Sequence, residues 1–444
     1  MENTLLNKYH LYSRASFFVH HDEIKPSRSL EKDVDDLFKR QVKSPIVLDL
    51  PSEAEMKEKA KSEKKRRELR KKMRAEVKKL NLMWLSQMAD EDKGLIEKMT
   101  LFWHGHFACR TVQNPYRTME MNNLLRENAL GNFRDLLYAV SRSGAMIEYL
   151  HLKQNKKASP NEDFARELCE LFTLGRDVDY TEKDVVEIAR AFTGWTYRDG
   201  EHRVVAKLHD NGEKEIFGKR GNFNGEDVLE MILENPKCAE RIAFKIYKYF
   251  VQEEVIHTEV KELSNVLYNS NYDISSMMKH LFKADWFYQK QGRMVKSPIE
   301  LAVVYCKMFD FRFEDVKSVM GLQHYLGQVL FDPPNVAGWA GGRQWIDSSR
   351  LAFRLRLGSL ILNRGYIMDE LSPELDEMLK SKAKKRDVKF YQEVDWDLFW
   401  KRNQGVNIYD VLIRSNNPQL KQAESTNDKK TVIHLLSTPD FQLT

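Results

Sequence analysis

No stretch of this chain approaches the roughly 18 consecutive apolar residues that a membrane-spanning helix needs. Its opening residues, Met1 to Tyr9, hold no apolar core of the kind that directs secretion. No transmembrane helix is therefore expected, and the chain as written reads as cytoplasmic, or as exported if a leader has been removed. Cysteine is scarce: Cys109, Cys169, Cys238 and Cys306 lie far apart with no CxxC spacing. That spacing argues against a disulfide framework or a zinc knuckle, and Cys169 and Cys306, in apolar helical surroundings, are expected to be buried thiols. Glycine (20) and proline (12) are few for 444 residues. With abundant Leu, Lys, Glu and Met, this points to a mainly helical protein. Several signatures are missing: HExxH, GxSxG, GxGxxG between strand and helix, a phosphate-loop lysine, an EF-hand loop and the kinase set.

What is present is 42% apolar residues, ample for a core, and a net charge of +5 that is unevenly spread. Between Lys57 and Lys79 stand thirteen Lys/Arg against four acidic residues, a local excess of +9 that leaves about −4 for the rest. The segment 52–88 opens with Pro51-Ser52 followed by Glu53 and Glu55, a helix-start pattern, and then runs without Gly or Pro. Its middle has few large apolar residues, so it is expected to be a long, exposed basic helix. Interleaved aromatics and base-reading motifs are absent, so no specific nucleic-acid partner is expected.

From Leu80 onward Trp, Leu and Met recur at helical spacing through Phe107, with further amphipathic stretches at 119–129, 132–141 and 144–150. Ser159-Pro160-Asn161 starts an acidic helix that Gly175 closes, and Thr181 to Asp184 forms a capping box. Around 195–218 the pattern changes to alternation, with turn signals at Asp199-Gly200 and Asn211-Gly212. This predicts a small antiparallel β-hairpin insertion. Helices are expected again at 239–251, 259–268, 274–282 and 297–309, and over a C-terminal part at 366–444. The predicted fold is a single, large, multi-helical domain over 1–444.

Four groups of residues invite chemistry. His104 and His106 stand two apart in Leu101-Phe-Trp-His-Gly-His-Phe107, among aromatics that would dry a site and shift imidazole pKa values. In the acidic helix, Asp163, Glu167 and Glu170 share one face, while Arg166 is spaced to pair with Glu162 and Glu170. Imidazole and carboxylate together suit a divalent metal, so His104 and His106 are candidate ligands and Glu167 and Glu170 candidate acid–base groups. The bland reading is a salt-bridge lattice around Arg166. His209-Asp210 is a third candidate pair at the β element, or else a plain Asx turn. The fourth is Leu326 to Ile346, rich in Gly and Pro, where Trp339 and Trp345 would line a ligand pocket or lock the loop to the core.

Taken in order, Tyr9 to Ala15, Phe102 to Phe107, Pro160 to Gly175, Tyr180 to Trp195, His209 to Gly218, Leu326 to Ile346 and Leu436 to Phe441 resemble the bacterial domain-of-unknown-function family 1800 over nearly the whole chain. The resemblance implies no activity, substrate or cofactor that transfers residue by residue. It does imply a genomic neighbour with a sulfatase-like or phosphatase-like fold as a partner. Two functions follow as expectations. One is a metal-assisted hydrolase using His104, His106, Glu167 and Glu170, with His209 and Asp210 at its rim and Arg166, Trp339 and Trp345 binding substrate. The other is a non-catalytic helical scaffold or partner for a neighbouring hydrolase.

Overall fold

The structure is a computed structural model that describes residues 4–39, 42–53, 55–56, 62–90, 93–176, 178, 180–363, 390–424 and 426–444. The part of the expected C-terminal helical region at 366–389 lies outside them, as do residues 57–61 of the basic segment. The fold is mainly α: helices follow one another, and the four strands among the described residues form two separate two-stranded antiparallel ribbons.

Local sequence accounts for most helix boundaries. Ser52 Oγ accepts from the Glu55 amide at 3.2 Å while Glu55 Oε2 accepts from the Ser52 amide at 3.0 Å, a reciprocal cap at the expected start of the basic segment. Ser62 caps the basic helix proper, Glu63–Met88, at the Lys65 amide. Its first three turns are exposed as expected. Its last three are not: Val77, Leu80, Asn81, Trp84, Leu85 and Met88 are buried, because the apolar residues from Leu80 on recur on one face. The exposed-helix expectation is corrected for that half.

The acidic helix also differs from expectation. It is α only over Asp163–Glu167 and widens into a π-helix over Leu168–Thr173 before Gly175 (φ 103°) ends it. Thr173 Oγ1 bonds the Leu168 carbonyl at 2.6 Å across the wide turn.

The β region is two hairpins. Strand β1 (Trp195–Arg198) pairs with β2 (Glu201–Val204) across Asp199-Gly200, and β3 (Lys214–Ile216) pairs with β4 (Lys219–Gly221) across Phe217-Gly218. Both turns carry positive φ at the two central residues, as tight hairpins require. Asn211-Gly212, expected to be a hairpin turn, instead joins the two ribbons.

Buried apolar residues fall into two clusters. One gathers around Trp103, Phe107, Phe133, Phe172 and Phe250; the other around Trp84, Tyr305, Leu322, Leu357 and Leu435. The histidine helix, Gly94–His106, contributes Met99, Phe102 and Trp103 to the first and Leu101 to the second, and is buried nearly all round. Its polar side chains must therefore find partners inside the protein. Glu97 does so completely: its carboxylate accepts from Trp84 Nε1 (2.7 Å), Gln87 Nε2 (2.8 Å), Arg126 Nε (2.6 Å) and Arg126 Nη2 (3.1 Å). This ties the basic helix, the histidine helix and the Pro115–Glu127 helix at one point. Lys98 beside it pairs with buried Glu300.

Removing one member of a buried ion pair strands the other without solvent, at about 3–5 kcal/mol. Glu97→Ala is expected to destabilise the chain by that amount in urea denaturation, well beyond removal of an exposed carboxylate such as Glu63.

Candidate functional site

The two signature histidines lie on different faces of their helix and hold different segments. His104 Nε2 accepts the Phe331 amide at 3.1 Å, so it carries no proton and secures the tryptophan loop. Phe331 sits at φ 68°, a conformation that costs a non-glycine residue about 1–2 kcal/mol. That hydrogen bond and the stacking of Phe331 on Trp84 (centroids 5.2 Å apart) hold it there. His106 Nε2 donates to the Phe172 carbonyl at 3.0 Å, capping the end of the widened acidic helix where main-chain acceptors lack helical donors. Burial keeps both imidazoles neutral: it draws His104 down to about 3 and His106 well below its ordinary value, the latter helped by the nearby Lys245 cation.

The expected metal set does not form. The Nε2 atoms of both histidines are occupied by main-chain groups, and Glu170 is spent on Arg166 (3.7 Å) and Arg176 (2.8 Å). Arg166 also forks onto Glu182 (2.8 Å to each oxygen) and reaches Glu162 at 2.9 Å, which is the lattice its spacing allowed. Glu167 has a raised pKa, from partial burial and then from Glu170. Among the described residues, no group of three or more His, Cys, Asp or Glu is arranged to hold a metal ion. His209 and Asp210 do not act as a pair either. His209 Nδ1 donates to the Thr193 carbonyl (2.9 Å), while the Asp210 carboxylate takes Arg190 Nε (2.8 Å) and the Gly212 amide (2.8 Å) in an Asx turn. All four cysteines are buried free thiols.

His106 has a second face. Having given its proton to Phe172, it leaves Nδ1 as a buried acceptor with no partner among the described residues. It lines a cavity of about 200 Å³ between the histidine helix, the helix Pro236–Phe250 and the tryptophan loop. From the Pro236–Phe250 helix come Lys245, Lys248 and Tyr249, spaced i, i+3, i+4 and hence on one face. The Tyr249 hydroxyl is buried without a hydrogen-bond partner, and its pKa is pushed up by that burial. Lys245 has no ion pair among the described residues, and burial, then Arg241 and Lys248, bring its pKa down to about 8.

The loop closes the other side with Trp339 and Trp345. Two close approaches fix it. A Cβ on Gly338 (φ 75°) would lie 2.2 Å from the Gly105 carbonyl oxygen, so the loop backbone sits directly on the glycine between the two histidines. A Cβ on Gly342 would meet the Glu253 carboxylate, which accepts the Arg343 amide at 3.1 Å. A larger cavity, about 360 Å³, opens beside Asp22, Arg28, Asp33 and Asp36, but its charges are paired with one another: Arg28 with Asp33 and Asp36, and Asp33 also with Lys8.

Comparison with known proteins bears on the identity of this arrangement. The profile of a family described as a protein of unknown function (DUF1800) matches residues 10–443. The chain belongs to the DUF1800 family. No curated protein and no solved structure matches it. In this DUF1800 protein the stretches that carried the resemblance converge: the histidine helix, the end of the acidic helix and the tryptophan loop all meet at His104 and His106. Lys245, Lys248 and Tyr249 escape a reading of the sequence, since the 239–251 stretch looks like an ordinary amphipathic helix. The signal available was two lysines and a tyrosine sharing one face.

His104 gives a pH test. An unfolded imidazole titrates near ~6.5, while the folded one is held to about 3. Between those values the unfolded chain binds the extra proton, so stability is complete above ~pH 6.5 and is lost as pH falls toward 3. Urea midpoints measured against pH are expected to show this decline, and His104→Asn should make it shallower, His106 supplying part of what remains.

Proposed function

We propose that this DUF1800 protein binds a small organic anion with a flat apolar part in the cavity between the histidine helix, Lys245 and the tryptophan loop. One observation carries the reading: two buried polar atoms without internal partners among the described residues, His106 Nδ1 and the Tyr249 hydroxyl, belong to side chains that line the same aromatic cavity as the half-buried Lys245, which has no ion pair among those residues. Buried polar atoms are almost always satisfied, so two unsatisfied ones on side chains at one cavity wall favour a ligand with polar groups there. Lys245 and Lys248 supply the cations for an acidic group. Tyr249 donates a hydrogen bond, and His106 Nδ1 accepts one from a ligand hydroxyl or amine. Phe102, Trp339 and Trp345 offer flat apolar surface.

The reading keeps His106, Trp339 and Trp345 from the residues the sequence singled out. It gives Glu170, Arg166, His209 and Asp210 a structural role, which favours the scaffold expectation for that half of the molecule. Hydrolysis assisted by a divalent ion has no support in the engaged Nε2 atoms of His104 and His106.

Calorimetry with phenyllactate, an aryl-bearing hydroxy acid, tests it. Binding is expected for the full chain, with Lys245→Met and Trp339→Ala each weakening it by at least about tenfold, or ~1.4 kcal/mol. Glu170→Gln and His209→Ala should leave it unchanged. Equal losses in all four variants, or no binding at all, would remove the reading.

A further inference from the structure

We infer that Lys245 is a nucleophilic lysine that forms an imine with the carbonyl group of a 2-oxo acid bound in this cavity. The inference rests on the binding reading above and adds chemistry to it. Most lysine amines in the structure are exposed or held in ion pairs; Lys245 is half-buried, lines an aromatic cavity and has no carboxylate partner among the described residues. Arg241 and Lys248 flank it on its own helix and, after burial itself, disfavour its protonated form. A desolvated amine beside other cations is a standard route to an activated lysine. The groups an imine needs share the cavity. Tyr249 lies one turn along the same helix face, and its buried hydroxyl and the buried His106 Nδ1 have no partner among the described residues. Lys248 can hold a carboxylate next to the carbonyl, and the tryptophans can take an apolar side chain.

The step balances without an oxidant or reductant. The neutral Lys245 Nζ attacks the carbonyl carbon, forming the C–N bond as the carbonyl π pair moves to oxygen. Nitrogen loses a proton and oxygen gains one, Tyr249 being placed to donate. In the resulting carbinolamine the nitrogen lone pair forms the C=N bond as the C–O bond breaks with its pair going to oxygen, and the hydroxyl takes a proton from Tyr249 and leaves as water, the second proton of the nitrogen restoring the Tyr249 hydroxyl. The substrate class is therefore a 2-oxo acid with an aromatic or bulky apolar side chain. The matching hydroxy acid fits the same cavity but cannot react.

Sodium cyanoborohydride, which reduces imines to stable secondary amines, gives the readout. The full chain is incubated with phenylpyruvate and the reductant near pH 8, and adducts are mapped by mass spectrometry. Lys245 is expected to be alkylated on the order of tenfold faster than exposed lysines such as Lys157 and Lys207, a modest gain for a positioned reactant. Phenyllactate should suppress the labelling by competition. Lys245→Arg is expected to keep phenyllactate binding and lose the adduct; should the arginine perturb folding, the position of the adduct mapped in the unsubstituted chain decides the matter. Adducts spread evenly over exposed lysines, with phenyllactate binding intact, would overturn the imine and leave the cavity reading standing. Failure of phenyllactate to bind would overturn both.

Discussion

The carboxylate of Glu97, buried with four donors around it, is the constraint on which the rest of the site depends. A charge in so dry a place is tolerable only when each oxygen is satisfied, and satisfying it draws in three helices. One of its donors is the indole of Trp84. That ring lies edge-on to His104 at 5.2 Å and stacked on Phe331 at the same separation. The Glu97 network therefore sets the angle of a tryptophan, the tryptophan positions a histidine and a phenylalanine, and those two hold the tryptophan loop by a hydrogen bond to its backbone. Gly338 on Gly105 then brings Trp339 over the cavity.

The two histidines of the signature thus divide the labour. His104 presents a bare nitrogen to an amide, and His106 presents a protonated one to a carbonyl, so the tautomers are opposite and each is dictated by its partner. A metal shared by the two would need one bare, unengaged nitrogen from each ring, and the bare nitrogen of His104 is taken by the Phe331 amide. What the helix gains instead is a clamp on two distant segments, residues 172 and 331, while the His106 ring lines an aromatic cavity beside Lys245 and Tyr249 and keeps a buried Nδ1 without a partner among the described residues. Aromatic walls raise the penalty of leaving these groups unpaired.

The helical class, the caps at Ser52 and Thr181, the closing Gly175 and the loop at 326–346 were all legible in the sequence, because each depends on residues close in the chain. Arg166 also announced its lattice through i, i+4 spacing. The wide turn at Leu168–Thr173 was not legible, since nothing local distinguishes a π-turn from an α-turn. Phe217-Gly218 was missed as a hairpin turn because phenylalanine seldom takes positive φ. The expected metal centre lacks support for a tertiary reason: the partners that engage Nε2 of His104 and His106 lie 227 and 66 residues away. Lys245 and Tyr249 were invisible for the converse reason. A missing partner is a property of the packed interior, and no spacing encodes it.

Hydrogen–deuterium exchange on the full chain, with and without phenyllactate, tests most directly whether the working site is this cavity. The account predicts added protection at 326–346 and 241–253, with the acidic helix at 163–173 and the turn at 209–212 unchanged. Protection centred on Glu167, Glu170 and His209, with the tryptophan loop unaffected, would contradict it.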